Sequence, residues 1–152
     1  MDLLESVWEY REQTLYPSLF GQAAEEIFVL DANEFATFGA EADPRWLFLG
    51  VMVFAPTAMR DSWLYVTSGG TTPWEIDDDA TAEDPSWIGT ELVIEASQRA
   101  DWPIRALQRL LAYNVLLAHG HFGDVAPLCV GARGPLSSGD VSLLRDVVIA
   151  RP

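Results

Sequence analysis

Residues 101–120, DWPIRALQRLLAYNVLLAHG, constrain the fold of this chain more than any other stretch. Asp101-Trp102-Pro103 opens a helix, because proline suits the first turn, where its missing N–H costs nothing. Ile104, Leu107, Leu110, Leu111, Tyr113, Val115 and Leu117 then follow at helical spacing, with Arg105 and Arg109 sharing the opposite face. His119 and Gly120 end it in the usual order, a residue able to carry positive charge in the last turn and a glycine after it. A helix with one apolar stripe must bury that stripe against another element.

Upstream, the apolar residues alternate instead. Trp63, Tyr65 and Thr67 alternate with Leu64 and Val66, the two-residue period of a strand. Trp46 to Phe54, WLFLGVMVF, is almost uninterrupted and reads as a buried strand. Gly50 within it marks a bulge or the close approach of another backbone. Thr90 to Ala96 reads as a further strand, with Leu92, Ile94 and Ala96 opposite Glu91, Val93 and Glu95. Glu26 to Leu30 is a short strand ended by Asp31 and Asn33, and Val141 to Ile149 is another. Ser68-Gly69-Gly70 forms a structural turn, since consecutive glycines permit positive φ. Near the N-terminus, Asp2 with Glu5 starts a helix whose spacing (Leu3, Leu4, Val7, Trp8, Tyr10) carries it to Thr14, and Pro17 and Gly21 close that segment. Gly131, Gly134, Pro135 and Gly139 predict loops.

The 152 residues suit one domain, residues 1–152, without internal repeats. A hydrophobic fraction of 49% with 11% aromatics is too rich for a disordered chain. Against 23 acids stand nine basic residues, all arginine, for a net charge of −14. Such a surface is repelled by phosphate, which argues against nucleic acid and anionic membranes and for a neutral or basic partner. No run approaches the roughly 20 apolar residues of a membrane span. The N-terminus carries acids where a signal peptide carries basic residues, and the single Cys129 excludes an internal disulfide, so the expected compartment is the cytoplasm. Net charge runs −8 over 1–45, zero over 46–74, −8 over 75–101 and +2 over 102–152. The two acidic blocks are expected to face water, either for solubility alone or to steer a basic partner.

Signatures of chemistry are few. Thr67-Ser68-Gly69-Gly70 has Val66 where a nucleophile elbow needs glycine, and the chain lacks the lysine of a phosphate loop. Aligning Asp77 with the start of a calcium loop places Ala82 where glycine belongs and Ile88 where the bidentate glutamate belongs. His119, His121 and Cys129 lack a fourth ligand at zinc spacing, and read instead as a helix cap and a small buried side chain. No metal and no cofactor are therefore expected. Trp46, Trp63 and Trp102 start elements and are expected to pack inside. Trp74 and Trp87 bracket the acidic stretch Glu75 to Asp84, which is long for a connection. Either the tryptophans pin a solvated loop, or Trp74, Glu75, Asp77, Asp78, Asp79 and Trp87 form a partner-binding surface of acids with aromatic anchors.

Trp63-Leu64-Tyr65-Val66-Thr67-Ser68-Gly69-Gly70, Pro73-Trp74-Glu75, Glu91-Leu92-Val93, Trp102-Pro103, Leu107-Gln108-Arg109-Leu110-Leu111-Ala112-Tyr113 and His119-Gly120 together resemble the suppressor-of-fused domain family in order and spacing. The resemblance covers Trp46 to Phe122, about half of the chain, and Tyr16-Pro17 with Phe20-Gly21 extends it upstream. It departs at Gly70, where the family often has a larger residue such as methionine. Family domains also usually run past the equivalent of Pro152, which leaves open that the last elements are missing. The resemblance implies an α+β fold, a mixed and largely antiparallel β-sheet packed against helices, with no catalytic centre. It also implies a module that binds protein or peptide: animal members clamp a peptide as an added strand, and some bacterial members resemble immunity proteins that neutralise toxins. A toxin-neutralising role suits an acidic surface facing a basic toxin. The rival readings are a small hydrolase-like enzyme using Ser68 or a metal at His119/His121, and a structural or oligomeric scaffold.

Overall fold

The computed structural model describes residues 3–72, 89–125, 127–128, 133–135 and 146–148. Its centre is the pairing of β2 (Gly50–Phe54) with β3 (Trp63–Ser68), antiparallel from Gly50 opposite Ser68 to Phe54 opposite Leu64. β1 (Phe28–Val29) adds to the far side of β2, and β4 (Val93–Ala96) to the far side of β3. Every described strand pair is antiparallel. With the helices below, this is an α+β fold.

The two central strands are buried on both faces, because their alternation feeds two apolar layers. Val51, Val53 and Tyr65 face one way and meet Ile104 and Leu107 of α4 (Trp102–Ala118). Met52, Phe54, Leu64 and Val66 face the other way and meet Leu15, Tyr16 and Phe20 of the N-terminal helices. A third cluster packs Leu30, Phe35 of α3 (Ala32–Ala36), Trp46 and Leu49 against Leu111, Ala112, Val115 and Leu116 on the second half of α4. Fully burying each such leucine contributes about 1.5–3 kcal/mol.

α4 matches its sequence signals closely. Gly120, at φ 74°, donates its N–H to Leu117 O at 3.1 Å, and His121 donates to Leu116 O at 3.0 Å. That pair of bonds is a Schellman closure. His119 caps the end with its Nδ1 2.8 Å from Val115 O. At the other end the Asp101 side chain makes no capping bond and instead accepts from Arg99 Nη1 at 2.6 Å. Arg109 lies over the Phe38 ring, 5.0 Å from its centroid. No described helix is long and apolar enough to cross a membrane.

Four expectations are corrected. Trp46 to Phe54 is not one strand, since Pro44–Phe48 forms a 3-10 helix before β2 begins. Asp43 caps that helix by accepting the Arg45 N–H at 2.9 Å, with Pro44 in its first turn. An apolar run alone cannot distinguish the two states, whereas this Asp-Pro start can. Second, Pro17 does not close the N-terminal segment. α1 (Leu3–Glu9) runs into a π-helical turn, Tyr10–Leu15, and on into α2 (Tyr16–Phe20), which contains the proline. The wide turn, in which Tyr16 N–H reaches back to Arg11 O, relieves the clash a proline ring makes with the carbonyl four residues earlier. Third, the strand over Glu26 to Leu30 shrinks to Phe28–Val29, and that over Thr90 to Ala96 to Val93–Ala96. Fourth, Gly134 and Pro135 lie in β5 (Arg133–Pro135), paired with β6 (Asp146–Val148), rather than in a loop. Gly50 is a close approach, as a Cβ there would stand 2.6 Å from Phe28 O. Trp46 is buried, and Trp63 and Trp102 are half-buried against the core.

Candidate functional site

The described residues concentrate their buried polar chemistry at one end of the sheet, where β3 ends and the chain leaves toward residue 73. Ser68 closes β3, and Gly69 to Thr72 turn away from it, with Thr72 N–H donating to Gly69 O at 3.1 Å. Gly69 has φ +150°, and a Cβ there would meet the Leu49 side chain at 2.5 Å. At Gly70 a Cβ would run into the Thr90 carbonyl oxygen. The larger residue common in the resembling family therefore has no room on this backbone. Gly89 N–H donates to Gly70 O at 2.9 Å, so the two ends of the intervening segment meet here as a neck.

Two charged side chains hold the neck. Glu91 Oε1 accepts from the N–H groups of Gly69 and Thr71 and from the Thr71 hydroxyl, each at 2.9 Å. Its Oε2 accepts from the Thr67 hydroxyl at 2.6 Å. Thr67 Oγ1 in turn accepts the Leu92 N–H at 2.8 Å, which continues the β3–β4 ladder. Arg11, only 3% exposed, comes from the π-helical turn. Its Nε donates to Ser68 Oγ at 2.9 Å and its Nη1 to Thr71 Oγ1 at 2.9 Å, and Nη1 also stands 3.7 Å from Glu91 Oε1. Both Nη atoms reach Thr72 Oγ1 at 3.4 Å, where the Trp8 indole N–H also donates at 3.3 Å. A buried guanidinium needs such partners, since an unpaired buried charge costs several kcal/mol.

Ser68 Oγ–H donates to Glu12 Oε1 at 2.6 Å while its oxygen accepts from Arg11. Ser68 is 1% exposed and its oxygen is held by the Arg11 N–H, so although a carboxylate accepts its proton it lacks the accessibility that a nucleophile needs. Tyr16 donates its hydroxyl to Thr67 O at 2.6 Å. Burial first, and then the Glu91 charge, push its pKa well above the ordinary tyrosine value, which keeps it a donor. The histidines are engaged elsewhere: His121 Nε2 is 3.1 Å from Phe38 O, and the His119 ring packs 4.9 Å from Trp46. Among the described residues, no group of three or more His, Cys, Asp or Glu is placed to hold a metal ion.

Trp74, Glu75, Asp77, Asp78, Asp79, Trp87 and Cys129 lie outside the described residues. What the structure describes is the neck from which the acidic segment departs. Sequence reading took in Ser68, Gly69 and Gly70 but missed Arg11 and Glu12, and it placed Glu91 on a strand within an acidic block expected to face water. Two signals were available: Arg11 is a lone cation amid acids just before Pro17, and Thr67, Ser68, Thr71 and Thr72 are a run of hydroxyls able to surround a charge. No family model matches the chain, and neither a curated protein nor a solved structure matches it.

Proposed function

We propose that this chain is a non-catalytic protein-binding module that presents its acidic segment, Glu75 to Asp84 between Trp74 and Trp87, to a basic protein, and that neutralising a basic toxin in the cytoplasm is its specific role. The observation that carries the reading is the neck: Gly70 and Gly89 are hydrogen-bonded at 2.9 Å, and Glu91 with Arg11 ties the turn beside them to the sheet and to the N-terminal helix. A segment whose ends are fixed loses less freedom when it binds. Six acids and no basic residue between 73 and 88 supply the charge that steers a cationic partner. The resemblance to suppressor-of-fused domains supports a peptide- or protein-binding role. The buried Ser68, bonded to Arg11 and Glu12, gives the hydrolase reading no support.

Pull-down with the intact protein identifies the partner, and stopped-flow association then tests the reading. Neutralising Asp77, Asp78 and Asp79 to asparagine together is expected to slow association at low salt, with less effect at physiological salt, where screening acts within about 8 Å. Trp74→Ala is expected chiefly to speed dissociation. Unchanged association of the triple variant at low salt refutes the reading.

A further inference from the structure

We propose that Trp8 and Phe48 form an anchoring subsite for an arginine or lysine side chain of the basic partner, a proposal that rests on the protein-binding reading above. Phe48 ends the 3-10 helix with 64% of its surface open, and its ring lies 5.9 Å from that of Trp8 at an interplanar angle of 45°. Trp8 is half-buried, and its bond to Thr72 Oγ1 sets the indole beside the residue at which the acidic segment leaves. The exposed ring stands on a fixed base. Trp46 and Leu49 on either side of Phe48 are buried, Leu49 N–H donates to Trp46 O at 3.2 Å, and the Leu49 side chain abuts Gly69 of the neck.

Charge complementarity selects the occupant. The face of an aromatic ring attracts a cation through its quadrupole. Glu5 and Glu9 are exposed on the same helix as Trp8, and the segment leaving at Thr72 carries six acids without a basic residue. Arg45, three residues before Phe48 on the 3-10 helix, already holds Asp43 through Nε at 3.0 Å and Nη2 at 2.6 Å. An anionic ligand is repelled here, and a purely apolar one draws nothing from the carboxylates. A cationic side chain gains from both ring and field.

The test uses a fluorescein-labelled nona-arginine peptide and fluorescence anisotropy at low and physiological salt. Phe48→Leu keeps the apolar bulk and removes the π face, and is expected to weaken binding about two- to five-fold at both salts. Phe48→Tyr should retain wild-type affinity. Tyr10→Leu, at an equally open aromatic (59% exposed), should change nothing. Circular dichroism confirms that each variant is folded. If the neutralised Asp77/Asp78/Asp79 variant loses affinity while Phe48→Leu binds as wild type, the subsite is wrong and the protein-binding reading survives. Equal losses in Phe48→Leu and Tyr10→Leu also overturn the subsite. If the wild-type protein does not bind the peptide at low salt, both fall.

Discussion

Replacing Glu91 with alanine removes the acceptor of four donors at once. The N–H groups of Gly69 and Thr71 and the hydroxyls of Thr67 and Thr71 lose their partner, and the Arg11 guanidinium loses the carboxylate 3.7 Å away. The two side chains are 4% and 11% exposed, so water reaches the site poorly. At an effective dielectric constant of about 20, that ion pair attracts by roughly 4 kcal/mol, most of which offsets desolvation. The cost of the variant therefore comes from the groups left behind. Removing one partner of a buried pair costs about 3–5 kcal/mol, and the hydroxyls around Arg11 soften this toward the lower bound. The expected loss for Glu91→Ala is about 3 kcal/mol, a large share of the roughly 5–15 kcal/mol that a domain of this size commands. Glu91→Gln, which keeps the shape and one carbonyl acceptor, should lose about half as much. In a double-mutant cycle with Arg11→Met, the combined variant should cost less than the sum of the singles by at least about 1 kcal/mol. Urea unfolding followed by tryptophan fluorescence measures the wild type and all four variants. A loss below about 1 kcal/mol for Glu91→Ala, or an additive cycle, would refute the clamp.

Gly70→Ala drives a methyl into the Thr90 carbonyl, whereas Gly39→Ala meets nothing within 4 Å and bears only the strain of φ +73°. Gly39→Ala should cost about 1 kcal/mol and Gly70→Ala at least twice as much by urea titration, and equal costs would show that the neck yields. Ser68→Ala leaves the buried Arg11 Nε–H without its acceptor and should lower stability by about 1–3 kcal/mol; an unchanged melting temperature contradicts this. The hydrogen bonds from the Arg45 guanidinium and then its N–H hold the Asp43 carboxyl down to about 2. Because the folded value lies below the unfolded value of about 3.9, this stabilisation is complete above that pH and is lost as pH falls toward 2. Over that window the melting temperature should fall more steeply in the wild type than in Asp43→Asn, and parallel profiles would exclude the linkage.

What the sequence determined by itself is what its neighbouring residues settle. α4 was legible from Asp101-Trp102-Pro103 through His119-Gly120, because caps, proline placement and apolar spacing act within a turn or two of each other. β3 was legible from its alternation, and the close backbone approach at Gly50 from a lone glycine in an apolar run. Tertiary structure decided the rest. Trp46, Leu47 and Phe48 satisfy helix and strand equally by hydrophobicity; the Asp43-Pro44 start favours the 3-10 turn locally, and packing of Trp46 against α4 fixes where its buried face goes. Arg11 lies in the block of residues 1–45 whose net charge of −8 predicted a water-facing surface. Its burial follows from a bond to Ser68, 57 residues away, and from Glu91 folding over the same turn. Pairings across such separations depend on which sheet end a helix crosses, and neither propensity nor periodicity encodes that, because both report only on neighbours along the chain.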